Sequence, residues 1–354
     1  MRRLGRNLRA RQLTQAVRNW LNSPDFFAPL THSLLLTKGS GTATFTRATS
    51  GTCLCYAENA VVGASMTIQT IPVGIPRFEG ARFLASNNTW SNVLSDGSAI
   101  APSVLKGVMI ESSSANLYLN SATLVTQNNS TTAQSYTVSF YGTGSITLSG
   151  SATGTLVGTG ANNRVSLTVT ASAGTLTSTV SGSVSSAQLE AKSFASSYIP
   201  TTTASLTRNA DVLYYSTSGN VLNTVGTFTI ETTPSDNIPN GEVNFLFDLG
   251  LNKGLGCAFW EVFSDDSSTR HYLPSWMPLK GVTYKIGTRY GPQGQRNWLN
   301  GTAGLNSAFS GSVTIGTSLY IGSGIYGFYW GGLIKNVKSW KRELANSDIT
   351  KGTS

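Results

Sequence analysis

Charge is scarce in this chain. Asp, Glu, Lys and Arg make up 12% of its 354 residues, against roughly 25% in ordinary soluble domains. Hydrophobic residues still reach 40%, so Gly, Ser, Thr and Asn fill the gap. That mixture suits β-sandwiches, whose outer strand faces tolerate hydroxyls and whose turns need Gly and Asn. Cysteine is nearly absent as well: Cys53, Cys55 and Cys257 are the whole set. Two cysteines spaced i, i+2 on one strand are poorly placed to bridge, which argues against a disulfide scaffold and fits assembly in a reducing cytosol. Histidine is limited to His32 and His271, so a histidine-based triad has two bases to choose from. No apolar run approaches the roughly 18 residues of a membrane span. The arginine-rich start lacks the apolar core and cleavage site of a signal peptide.

What charge there is lies unevenly. Residues 1–24 hold six arginines and no acid, leaving only +3 of the net +9 for the remainder. This stretch reads as a basic amphipathic helix. Leu13, Val17, Trp20 and Leu21 fall on one stripe, with Arg6 and Arg9 on the preceding turns, and Ser23-Pro24 ends it. Membrane-surface, nucleic-acid and docking roles compete for such an arm; a Trp/Leu stripe ringed by arginine fits docking into a larger assembly best. The nearly neutral body shows no basic face for nucleic acid.

At this length two or three domains are expected. Residues 25–121 read as an irregular β segment or linker, including the alternating "TATFTR". Residues 122–206 carry short alternating runs broken by Gly, such as Val165, Leu167 and Val169 against Ser166, Thr168 and Thr170; they predict a small antiparallel sandwich or jelly roll. Residues 207–354 form a longer strand series with five of the seven tryptophans, and predict a second sandwich closing with a short turn or helix near 342–348. Between the sandwiches lies "AQLEAKSFASSYIPTTTASLTRNADVL". Its charges follow a stretch, Ser112–Leu189, whose sole charged residue is Arg164. We read it as a junction in which Arg208 and Asp211 pair.

Four segments, in order, resemble structural proteins of tailed bacteriophages. They are Phe45-Thr46-Arg47-Ala48-Thr49, Pro76-Arg77-Phe78, "GVMIESSSANLYLNS" and "QLEAKSFASSYIPTTTASLTRNADVL". The last departs from the usual pattern at Lys192 and Asn209. The closing "GLIKNVKSWKRELANSDIT" is similar to concanavalin A-like (LamG-type) lectin sandwiches, with Trp340, Arg342, Leu344 and Asp348 in the matching places. The resemblance implies a mainly β chain of tandem antiparallel sandwiches, jelly-roll-like then concanavalin A-like, behind the N-terminal helix. It further implies a fibre- or decoration-like virion appendage without enzymatic activity, assembled in the host bacterial cytoplasm. Expected partners are capsid, portal, neck or tail proteins, a host surface polysaccharide, and copies of the chain itself, a trimer being the common arrangement. A tail polysaccharide depolymerase and a purely structural cement or adaptor are the alternatives.

Candidate chemistry is thin. No G-x-S-x-G elbow, H-E-x-x-H helix or P-loop is present. Retaining glycosidases of concanavalin-like fold need paired carboxylates about 5 Å apart. "FWEVFSDD" supplies Glu261 and Asp265 but Phe263 where an acid should stand; Glu242 and Asp248 are also wrongly spaced. Asp265 and Asp266 are the candidates for calcium, and no other cofactor is expected. For a glycan, "YGPQGQRNWLNG" offers Tyr290, Gln293, Arg296, Asn297 and Trp298 in one Gly-rich loop. In "GIYGFYWGG", alternation assigns Tyr326, Phe328 and Trp330 to the core and turns Tyr329 outward.

Overall fold

In the computed structural model the described residues are 23–235, 243–250, 254–258, 261–265, 270–273 and 278–354, with backbone alone described at 243 and from 254 to 273. The arm carrying Arg6, Arg9, Leu13, Val17, Trp20 and Leu21 lies outside them. The described chain is mainly β, built as tandem antiparallel sandwiches, with one short helix at Asn346–Thr353.

The small sandwich follows from strict alternation. One sheet orders the strands Gln127–Thr131, Gly174–Ser181, Ser145–Gly150 and Gly154–Val157; the facing sheet orders Gly160–Ala171, Gln134–Gly142 and Val184–Glu190. Val165, Leu167 and Val169 pack toward a core of Val138, Phe140, Ile146, Leu176 and Leu189, while Ser166, Thr168 and Thr170 face solvent. A side-chain period of two on a half-buried sheet requires this split.

The large sandwich does not start near residue 207. Its first sheet runs Thr302–Ala303, Arg296–Leu299, Tyr284–Tyr290, Gly226–Pro234, Gly332–Trp340, Gly107–Ile110 and Phe78–Glu79, and Phe26–Ala28 pairs with the far half of Gly332–Trp340. Its second sheet begins with Thr44–Thr46, which pairs with Val212–Ser216, and continues through Ser318–Ile321 to the strands between 243 and 273. The segment 25–121, expected to be irregular, therefore supplies four strands to the two large sheets. The cause is burial: Phe26, Phe78, Val108 and Ile110 sit in the same core as Phe228, Phe247, Ile286 and Ile334. Phe228 stacks on Phe247 with centroids 4.4 Å apart. Backbone fit matters too. Gly107 has φ 123°, and a Cβ there would stand 2.4 Å from the Ile334 carbonyl oxygen, so only glycine lets this strand pair.

The aromatic loop departs from its expected pattern. Trp330 is buried, but Tyr326 is 68% and Phe328 38% exposed, and Tyr329 packs against the core. Alternation fails there because residues 322–331 form a glycine-rich loop rather than a strand.

Candidate functional site

Four of the segments singled out in the sequence meet in space. Arg47, Arg77, Glu111, Arg208 and Asp211 come from four separated segments and form one buried ionic knot, each at most 3% exposed. Arg47 Nη1 donates to Asp211 Oδ1 at 3.0 Å, and its other nitrogens donate to the Thr49 and Pro72 carbonyls. Arg77 lies 2.9 Å from Glu111 Oε2 and also donates to Asp211 Oδ2. Arg208 approaches Glu111 at 3.4 Å and Asp211 at 3.6 Å, and donates to the Ser112 carbonyl. The junction pair thus forms, as two members of a larger set. Burial alone would raise the Glu111 carboxyl; Arg208, Arg77 and hydrogen bonds from Ser197 overcome it and hold it well below the usual carboxylate range. Ions removed from water are tolerated only when so paired.

The strap after the small sandwich is stitched to the same place. Ser197 donates to both Glu111 oxygens, through its amide at 2.8 Å and its hydroxyl at 2.6 Å. Glu190 is wholly buried and accepts from Ser114 Oγ and from the Ser196 amide and hydroxyl. Gln188 Oε1 accepts the Ile199 amide at 2.6 Å, and Asn116 Nδ2 donates to the Ala187 and Ile199 carbonyls. The Q-L-E, S-S-Y-I-P and N-L-Y-L-N-S elements are accordingly a set of mutually satisfied buried polar groups that dock one sandwich on the other.

Above the knot, a cleft of about 340 Å³ opens between the sandwiches. Tyr141 and Arg164 of the small sandwich, Glu79 and Lys106 of the large sandwich, and Ser196 and Ser197 of the strap line it. Burial pushes the Glu79 carboxyl up to about 7, Lys106 pulling it down and Glu111 adding to the rise.

The expected glycan loop is built differently. Trp298 is fully buried with Trp340, Leu344 and Ile349, and Tyr290 is 3% exposed with its hydroxyl donating to the Leu222 carbonyl at 2.6 Å. Neither ring has a face free for a sugar. Asn297 is buried, and Arg296 lies over the Trp298 ring at 5.9 Å. Only Gln293 is exposed; it lines a groove of about 550 Å³ with Asn306 and Phe309. The Gly-rich flanks suggested a loop, but Arg296–Leu299 is a strand hydrogen-bonded to Ile286–Arg289. The side chains of Asp265, Asp266, Glu261 and His271 lie outside the described residues. Among the described residues no group of three or more His, Cys, Asp and Glu is placed to hold a metal. No described helix is long and apolar enough to cross a membrane.

No family model and no curated protein matches the sequence. Among solved structures, domain 4 of a GH43 extracellular arabinanase from Geobacillus stearothermophilus, in complex with arabinotriose, is similar at 15% identity and TM-score 0.34, over 41% of this chain and 73% of that one. A botulinum neurotoxin type C structure is similar at 10% identity and TM-score 0.32, over 40% and 39%. Trypanosoma rangeli sialidase with the inhibitor DANA is similar at 16% and 0.31, over 40% of this chain and 26% of that one. The chain therefore spans well under half of the toxin and sialidase chains.

Proposed function

We propose that the chain is a non-enzymatic structural protein of a tailed-phage virion, a fibre- or decoration-like appendage. In this reading residues 1–24 dock it to capsid, neck or tail proteins, and the two sandwiches project as one stiff unit toward host surface glycan. One observation carries it. Five of the seven charged residues of the four phage-like segments, Arg47, Arg77, Glu111, Arg208 and Asp211, are spent on one buried knot at the large sandwich, which the strap from the small sandwich reaches through Ser197. Such motifs serve rigidity rather than turnover, as an appendage under mechanical load requires. The test is mass spectrometry and immunogold labelling of purified virions with antiserum to the chain. Labelling at regular positions is expected; presence in infected lysate but not on virions would overturn the reading.

The depolymerase reading keeps one supporting observation, the Glu79 carboxyl poised near neutrality in an open cleft. Glu111, the acid whose charge Glu79 feels, is held ionised by Arg77 and Arg208 and is unsuited to act as a second, free carboxylate. New reducing ends released from host polysaccharide, and lost in Glu79→Gln, would favour that reading.

A further inference from the structure

We propose that the cleft between the two sandwiches binds the carboxylate-bearing end of an acidic saccharide, with Lys106, Arg164 and Lys280 facing its anionic group and Glu79 and Tyr141 its hydroxyls. The proposal rests on the glycan-contact part of the reading above, and moves that contact from the 290–298 loop to the cleft.

Two polar groups from different elements, the Glu79 carboxyl and the Tyr141 hydroxyl, converge there beside the Arg164 guanidinium and have no hydrogen-bond partner among the described residues. The Glu79 carboxyl, at the edge of the large sandwich, makes no hydrogen bond or ion pair with any described residue. The same holds for the Tyr141 hydroxyl, which feels the charges of its sheet neighbour Arg164 and of Glu79. Arg164 is fixed by donating Nη1 to the Ser196 carbonyl and Nη2 to Ser139 Oγ, which leaves its buried Nε without an acceptor. Polar groups without protein partners that face one opening are placed to be matched by a ligand, which points to one here.

The charge selects the ligand's sign. Lys106, Arg164 and Lys280 line the cleft, and Glu111 at its base is already neutralised by Arg77 and Arg208. Cations in a concave, partly desolvated site focus a positive potential. The hydroxyl-rich remainder, with Ser166, Thr233 and Ser235 among the lining residues, suits a polyol rather than an apolar anion. At about 340 Å³ the space is at the small end of the roughly 300–1,000 Å³ range of ligand pockets, so it takes a chain end rather than a long segment.

Protonation adds a signature. The charged and titratable groups around Glu79 are Lys106, Arg77, Glu111, Tyr141 and Cys53, and the burial-raised thiol of Cys53 stays neutral. Below about pH 7 the Glu79 carboxyl is protonated and does not repel an anion; above it the repulsion appears.

The test is calorimetric titration of the full chain with a glucuronate-terminated disaccharide, its neutral glucose counterpart and inorganic phosphate. At pH 6 the acidic sugar should bind at least tenfold more tightly than either control. Lys106→Gln with Lys280→Gln, both exposed positions, should reduce that affinity at least tenfold at unchanged melting temperature. Between pH 6 and 8 the parent should weaken several-fold, and Glu79→Gln should remove the change. Equal binding of acidic and neutral sugars, equal binding of phosphate, no binding, or insensitivity to the lysine substitutions would each overturn the proposal. Virion labelling separates the two ideas. A chain mounted on virions that ignores acidic saccharide sinks the cleft alone, whereas a chain missing from virions sinks the appendage reading whatever the cleft binds.

Discussion

Arg47 and Asp211 lie 164 residues apart in sequence, yet their side chains meet at 3.0 Å with no solvent exposure on either. The contact joins the start of the large sandwich to the end of the strap. Asp211 Oδ2 also accepts the Glu111 amide at 3.0 Å, so this one carboxylate ties three distant segments together.

Asp211→Asn should therefore cost about 3–5 kcal/mol, because it leaves three buried guanidiniums facing a single carboxylate. Urea denaturation should show the loss. Adding Arg47→Met should restore part of it, so the double variant would be less destabilised than the sum of the singles. Additive effects would mean that the pair is not coupled.

Much of this architecture is legible in the sequence. The small sandwich was readable because Val165, Leu167 and Val169 alternate cleanly with hydroxyls, and a half-buried strand demands that period. The strands at 26–28, 44–46, 78–79 and 107–110 were not, since two to four residues are too few to display one. Their membership of the large sheets is decided by distant partners such as Ile334 and Ser339. The knot was half legible: Arg208 and Asp211 are neighbours in sequence, but nothing local indicates that Arg47, Arg77 and Glu111 converge on them. The signal was compositional. In a charge-poor chain, each of these four segments carries charge of its own. Trp298 was misplaced because its Gly-rich flanks outweighed the short strand between them.

Stability should respond to pH with two opposite slopes. The Glu79 carboxyl is raised in the fold to about 7, so its contribution is fully present below the ordinary carboxylate range and is lost as pH rises through about 7. Screening through the open cleft limits the effect to on the order of 1–2 kcal/mol. Glu111 is lowered, so its contribution is present above the ordinary range and lost as pH falls below it. Denaturation midpoints at pH 5, 6, 7 and 8 should fall toward the alkaline end, and Glu79→Gln should flatten that fall. A midpoint rising from pH 5 to 8 would contradict the assignment.

Cys53 and Cys55 should behave as core residues. They are 5% and 0% exposed, and burial, reinforced by the neighbouring Cys55 thiol, raises Cys53 well above a free thiol. The thiolate is the reactive form. Peptide mapping after iodoacetamide treatment at pH 8 should find both positions unmodified in the native protein and modified in denaturant. Rapid native labelling at either would mean that the hairpin 51–71 opens.

Trp298 supplies the sharpest test of where a glycan does not bind. Its ring is fully buried against Trp340, Leu344 and Ile349, and the guanidiniums of Arg289 and Arg296 lie 5.8 and 5.9 Å from it. Trp298→Ala would empty that site, with an expected loss of about 3–5 kcal/mol. Gln293→Ala, at an exposed loop position, should stay within about 0.5 kcal/mol of the parent. If sugars stacked on Trp298, its removal would abolish glycan binding even where the protein remains folded. With the ring serving the core, the folded fraction of Trp298→Ala should bind glycan as the parent does, while its unfolding midpoint drops. Measuring both quantities on one sample below the transition separates the outcomes, since a stacking site would lose affinity without requiring a loss of stability.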